Sequence, residues 1–88
     1  MITIEKNEVA NWLLLSLKSE HRKVKEKIDL FKQKYNQAFF DFELEVKNAD
    51  QEDFEKWDDY IEWKAYQQSY SDLNHKIAEI EKGNFTVS

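Results

Sequence analysis

An all-α fold arranged as an antiparallel helical hairpin is predicted by two features of this sequence. The 88 residues include one glycine and no proline, whereas average usage is about 7 % and 5 %, so helix breakers are scarce. Apolar residues also recur every three or four positions in two long segments, which is the spacing of one helix face. Because short connections make consecutive helices antiparallel neighbours, we expect two long helices with coiled-coil-like packing, joined by a short third helical segment within a single domain.

The first long helix is predicted over about residues 8 to 35. Asn7 is a suitable N-cap, and Glu8 lies in the first turn, where the helix dipole favours an acid. One stripe steps by three and four along the whole segment, with one polar member: Leu14, Leu17, His21, Val24, Ile28, Phe31 and Tyr35. This spacing predicts a coiled-coil-like seam against another helix.

Two alternatives are open for the end of this helix. The pattern continues through Ala38 and Phe42, which would give one rod to about residue 47. Asn36 favours a break instead, because asparagine is common in the left-handed conformation that closes helices. We favour the break, followed by a short helix over about 39–47 and a turn.

The last long helix is predicted over about residues 50 to 82, with Asp50 as N-cap, Asp53 as the capping-box acid and Gly83 at the closing position. It carries two apolar stripes. One holds Phe54, Trp57, Ile61 and Ala65; the other holds Tyr60, Trp63, Tyr66, Tyr70, Leu73, Ile77 and Ile80. Two stripes on one helix need two surfaces to pack against, and in so short a chain we assign the second surface to a partner.

Charge supports the hairpin. Seven basic and three acidic residues lie between Lys18 and Lys34, whereas ten acidic and two basic residues lie between Phe40 and Glu62. An antiparallel fold lays the acidic start of the last helix near the basic end of the first. It also brings the β-prone ends, residues 1–6 and 84–88, to the same end of the hairpin, where they could pair with each other or with a partner's sheet edge.

Composition excludes several functional classes. A net charge of −5 disfavours non-specific nucleic-acid binding, which depends on lysine and arginine at phosphates. No apolar run approaches the roughly 18 residues of a membrane span, and no basic-then-apolar leader is present. With no cysteine either, we expect a cytoplasmic protein that uses neither disulfides nor cysteine-bound zinc.

Aromatic and aliphatic side chains outside the seam are the candidate partner-binding residues, because tryptophan and tyrosine are favoured interface anchors and exposed apolar patches usually mark contacts. The predicted set is Trp12, Leu13, Leu15, Tyr60, Trp63, Tyr66 and Tyr70. We expect Trp57 in the core. The alternative for Trp12 and Leu15 is coverage by aromatics of the middle segment, and the alternative for the tyrosines is ordinary core packing.

No motif for catalysis or cofactor binding is found. Glu55, Asp58, Asp59 and Glu62 have the spacing of one helix face, but helical carboxylate metal sites use Glu-x-x-His pairs, which the chain lacks. We interpret them as a solvated face or a docking patch for a basic partner. His21 is expected to be hydrogen-bonded structure, and no nucleophile with a base or phosphate loop occurs. The expectation is a protein without enzymatic activity, cofactor or metal.

Three segments carry a family resemblance: Trp12-Leu-Leu-Leu15, Ile28-Asp-Leu-Phe-Lys-Gln-Lys-Tyr35 and the run from Asp53 to Tyr66. With these, the chain resembles small prokaryotic helical proteins, mostly uncharacterised, that are encoded beside predicted toxins in type II toxin–antitoxin pairs. The similarity covers about residues 9 to 87 and is densest at 53–66. It implies an antitoxin-like role, binding and silencing a partner protein, and supplies no catalytic residues.

Three functional hypotheses follow. The first is a protein-binding module of antitoxin type, which neutralises a toxin by direct contact. The second is a self-associating helical hairpin with a structural or scaffold role, as a homodimer or four-helix bundle. The third, a weaker one, is an acidic mimic of nucleic acid or a direct regulator that binds nucleic acid.

Overall fold

The computed structural model of the protein describes residues 6–83, which form three helices. Helix α1 spans Lys6–Tyr35, α2 spans Phe39–Lys47 and α3 spans Phe54–Glu81. The two long helices pack against each other, and α2 packs against the first half of α3. This arrangement confirms the all-α hairpin. Of the predicted β-prone ends, residues 1–6 and 84–88, Lys6 belongs to α1, and the others lie outside the described part.

Each of the two long helices is followed by a residue with left-handed backbone. Asn36, directly after α1, has a φ of 51°, and Gly83, after α3, has a φ of 80°. Asparagine and glycine adopt this conformation at the least cost, so the chain turns at Asn36 and does not continue as one rod. At its other end α1 already includes Lys6. Asn7 is therefore inside the helix, which corrects its prediction as N-cap; asparagine costs a helix interior only a few tenths of a kcal/mol.

Helix α3 begins later than predicted. Its N-cap is Asp53 and not Asp50: the Asp53 backbone is extended, and its carboxylate accepts a hydrogen bond of 3.2 Å from the backbone N–H of Lys56. That bond satisfies a backbone donor that a helix start otherwise leaves unpaired. Both aspartates suit a cap by residue type, and Asp53 directly precedes Phe54, the first residue of α3. Residues 48–53 consequently form a longer connection than a tight turn.

The core lies where the three helices meet. Among the described residues five side chains are buried, from all three helices: Val24, Ile28, Phe42, Tyr60 and Trp63. Trp63 and Phe42 have no exposed area, and their ring centroids are 5.3 Å apart. Phe31 and Phe39 bring further rings within 5.6 Å and 5.4 Å of Trp63. Aromatic contacts at such distances stabilise beyond simple area burial, so this cluster fixes how α2 and α3 pack on α1.

Polar contacts set the register of the long helices. At one end Lys34 Nζ donates to Glu55 at 3.0 Å and to Asp59 at 2.7 Å; toward the other end Lys18 Nζ lies 3.6 Å from a carboxylate oxygen of Glu81. Between them His21 stacks on Tyr70 with ring centroids 4.5 Å apart, and its Nε2 lies 2.8 Å from Asn74 Oδ1. The basic part of α1 and the acidic start of α3 are thus paired, as the charge distribution predicts. His21 forms a hydrogen bond within the fold, as expected.

Candidate functional site

The outer side of the first half of α3 is apolar and uncovered. Phe54, Trp57 and Ile61 are 74 %, 46 % and 53 % exposed, and Ala65 continues the line. These four residues, which we call the outer stripe, follow one another at intervals of three and four, so they share one helix face. At 1.5 Å per residue the stripe is about 16 Å long.

The opposite side of the same turns is the core side. Tyr60 and Trp63 are 4 % and 0 % exposed. At 100° per residue Ile61 and Trp63 point about 160° apart around the helix. Because α1 and α2 both pack against the Trp63 side, nothing in the described part of the chain covers the outer stripe. Beyond Ala65 that side turns polar, with Gln68, Asp72 and Lys76, so the stripe has a defined end.

A groove joins the outer stripe at its N-terminal end. It runs between the end of α2 and the start of α3 and has a volume of about 1030 Å³. Its apolar lining comes from Val46, Ala49, Phe54 and Trp57. Phe54 and Trp57 belong to both features, so stripe and groove form one continuous surface.

This surface has an acidic rim. Residues 50–65 include seven acidic and two basic side chains. Both lysines have partners: Lys56 Nζ lies 3.8 Å from Glu45, and Lys64 Nζ lies 5.8 Å from the ring centroid of Tyr60. Asp50, Glu52 and Asp58 are exposed and form no ion pair with any described residue. Asp58 comes four residues after Phe54 and three before Ile61, so it borders the stripe directly.

The Asp59 carboxylate faces α1 and accepts hydrogen bonds from one lysine and one tyrosine. Lys34 Nζ and the hydroxyl of Tyr35 both donate to Asp59. Burial and the hydrogen bond to Asp59 raise the pKa of Tyr35 to about 12. The bonds to Asp59 and Glu55 raise the pKa of Lys34 well above its ordinary value. Both donors therefore remain protonated at neutral pH, and the group clamps α1 to α3.

A second exposed apolar patch lies in the first half of α1. Trp12, Leu13 and Leu15, all predicted partner-binding residues, are 58 %, 39 % and 71 % exposed. They precede Lys18, which pairs with Glu81 near the end of α3. This patch is therefore at the opposite end of the hairpin from the groove.

The remaining predicted binding residues lie elsewhere. Tyr60 and Trp63 are core residues, which corrects their assignment to a partner surface, while Trp57, expected in the core, is exposed. Tyr66 and Tyr70 are half-buried against the core. Two helices pack against each other along a single line of side chains. On α3 that line is continuous and consists of Trp63, Tyr66, Tyr70 and Leu73, which is why these residues face α1. That continuity was the signal for assigning Phe54 and Ile61 to the outside.

The described residues contain no group of three or more histidine, aspartate or glutamate side chains arranged to hold a metal ion. Of the four spaced carboxylates, Asp59 and Glu55 bind Lys34, and Glu62 accepts a hydrogen bond of 3.3 Å from Tyr66. Asp58 is exposed and forms no ion pair with the residues that the structure describes. None of the helices in residues 6–83 combines the length and apolarity that crossing a bilayer requires.

Comparison with known proteins gives one relationship. No curated protein and no solved structure matches the sequence. A family model matches residues 1–85, which is nearly the whole chain. On that match the chain belongs to the family described as the Uncharacterized protein MJ0235 family.

Proposed function

We propose that this protein is a protein-binding module whose docking surface includes the outer stripe. The observation that carries the proposal is that the first half of α3 is apolar on both sides, although only one side is packed. Burying one large apolar side chain contributes about 1.5–3 kcal/mol. Phe54, Trp57 and Ile61 together offer a large share of the free energy of a protein complex.

The finer form of the proposal is an antitoxin-like role, in which the hairpin binds a toxin and blocks it by direct contact. The support is the resemblance to proteins encoded beside predicted toxins, which is densest at residues 53–66. That segment is the one that carries the outer stripe. A rod with extents of 64 × 19 × 18 Å also offers a long surface for covering a partner's active site.

Co-expression tests this function. The chain is produced together with the protein encoded beside it, and the two are passed through affinity and size-exclusion columns. We expect a stable complex of defined stoichiometry by native mass spectrometry, and relief of growth arrest when the neighbour alone is toxic. Separate elution of the two proteins, with growth arrest unrelieved, would remove the antitoxin proposal.

A further inference from the structure

We propose that the outer stripe and its groove bind a basic amphipathic segment of a partner protein, with apolar anchors flanked by lysine or arginine. This inference rests on the proposed function and specifies where the partner binds and what its chemistry is. Three observations support it: the continuity of the surface, its charge, and its mismatch with a second copy of this chain.

Shape favours a helical segment. The stripe is a straight apolar line of about three turns, and the groove at its end is lined by Val46, Ala49, Phe54 and Trp57. A helix that packs along such a line contributes anchors at i, i+3, i+4 and i+7. A final anchor can enter the groove, where side chains of α2 and α3 surround it on two sides.

Charge selects the flanks of the segment. Asp50, Glu52 and Asp58 are exposed, lie around the apolar surface and have no ion-pair partner among residues 6–83. A docked segment with acidic flanks would bring like charges together, which is unfavourable, whereas lysine or arginine would pair with these carboxylates. The acidic rim therefore selects segments with basic flanks over segments with acidic flanks, and the apolar stripe supplies the affinity.

A second copy of the chain fits this surface poorly. Symmetric pairing of two outer stripes would bring two acidic rims together, each from a segment with ten acidic and two basic residues between positions 40 and 62. Asymmetric pairing with the exposed α1 patch, Trp12, Leu13 and Leu15, would give the acidic rim no basic flank, since residues 8–18 hold one acidic and one basic side chain. Asymmetric pairing with the basic part of α1 would satisfy the charges. Between Lys18 and Lys34 that helix exposes one large apolar side chain, Leu30, which provides too few anchors.

Two synthetic peptides test the inference. Both carry leucine at i, i+3, i+4 and i+7 over about four helical turns; one has lysine flanks and the other glutamate flanks. Binding is followed by the tryptophan emission of a Trp12→Phe variant, in which Trp57 is the exposed ring and Trp63 is buried, and by amide shifts of the ¹⁵N-labelled chain. We expect the lysine peptide to bind at least about tenfold more tightly than the glutamate peptide, with shifts confined to residues 45–65.

Two neutral substitutions locate the site. Ile61→Gln is expected to weaken binding of the lysine peptide at least about tenfold, because one apolar anchor is lost. Leu30→Gln, a change of similar chemistry at a 57 % exposed position outside the surface, is expected to leave affinity unchanged. Equal binding of the two peptides, no binding of the lysine peptide, or insensitivity to Ile61→Gln would overturn the inference.

Separate outcomes identify the other occupants. If the free chain is a dimer by sedimentation equilibrium and Ile61→Gln makes it monomeric, a second copy occupies the surface and the inference is wrong. If the complex with the neighbouring protein survives Ile61→Gln but is lost in Leu15→Gln, the proposed function stands and its location moves to the α1 patch. If no complex forms with the unaltered chain, the proposed function itself fails.

Discussion

At the scale of single residues, the contact among Lys34, Tyr35 and Asp59 gives the fold a dependence on pH. Burial by itself would raise the pKa of Asp59, but the hydrogen bonds from Lys34 and Tyr35 outweigh it and hold that pKa below its ordinary value of 3.8. The ionised form therefore stabilises the fold above about pH 4, and this contribution is lost as the pH falls through the folded pKa. Tyr35 acts in the opposite direction. Its pKa of about 12, against an ordinary 10.0, gives a contribution that is complete below pH 10 and lost as the pH rises toward 12.

Asp59→Asn tests this dependence, with Asp58→Asn as its control. Both changes remove one negative charge from the same turn of α3, but Asp58 is exposed and unpaired whereas the Asp59 side chain is 16 % exposed and pairs with Lys34. We expect Asp59→Asn to lower the free energy of unfolding at pH 7 by about 1 kcal/mol, and Asp58→Asn to change it by less than about 0.5 kcal/mol. Urea unfolding at pH 7 and pH 3 measures both. The deficit of Asp59→Asn should shrink at pH 3, since the carboxyl of the unfolded chain takes up a proton as the pH falls below its ordinary pKa of 3.8, before the folded one does. An unchanged deficit would show that packing, and not ionisation, is what the substitution disturbs.

At the scale of helices, α3 is divided between a packed side and an open side, and its two tryptophans report on one side each. Trp63→Ala removes the centre of the core and is expected to cost about 3–5 kcal/mol, a large part of the stability of a small domain. Trp57→Ala removes a 46 % exposed ring whose main described neighbour is Tyr60, at a centroid distance of 5.5 Å, and is expected to cost about 1 kcal/mol. Circular dichroism during urea unfolding measures both. Similar costs for the two variants would mean that the outer stripe is packed in solution.

Helix periodicity and residue type were sufficient to predict the three elements of the hairpin. The spacing from Leu14 to Tyr35 predicted the seam of α1, and the left-handed tendency of Asn36 favoured the break over a continuous rod. Two features of α3 could not be predicted from the local sequence: which aspartate caps it and which tryptophan is buried. Asp50 and Asp53 are equally suitable caps, and packing decides between them. The burial of Trp63 in place of Trp57 depends on the side from which α1 and α2 approach, which a stripe pattern on one helix does not specify. Tyr60 and Trp63 were misplaced for that reason, while Trp12, Leu13, Leu15, Tyr66 and Tyr70 stay predictions.

At the scale of the whole molecule, the protein is a thin rod with little interior. Its radius of gyration is 17.8 Å, against roughly 12 Å for a compact chain of this length, and five residues form its buried core. Charge is unevenly distributed between the helices of the rod. The end formed by α2 and the start of α3 is strongly acidic, and the part of α1 between Lys18 and Lys34 is basic. Such a separation orients an approaching charged partner before contact and so raises its rate of association.

Quenching of tryptophan fluorescence by ions of opposite charge tests this distribution. Trp57 lies in the acidic region, whereas residues 8–18 around Trp12 hold one acidic and one basic side chain, and Trp63 is inaccessible. In Trp12→Phe, where Trp57 is the accessible ring, caesium should quench more effectively than iodide once each is scaled to a free tryptophan amide. Trp57→Phe should show no such preference. The preference should weaken as added salt shortens the Debye length from about 10 Å at 0.1 M. Equal quenching of both variants by both ions would contradict the acidic surface around Trp57. A Trp57 signal that becomes shielded as the protein concentration rises would show that copies of the chain cover the stripe themselves.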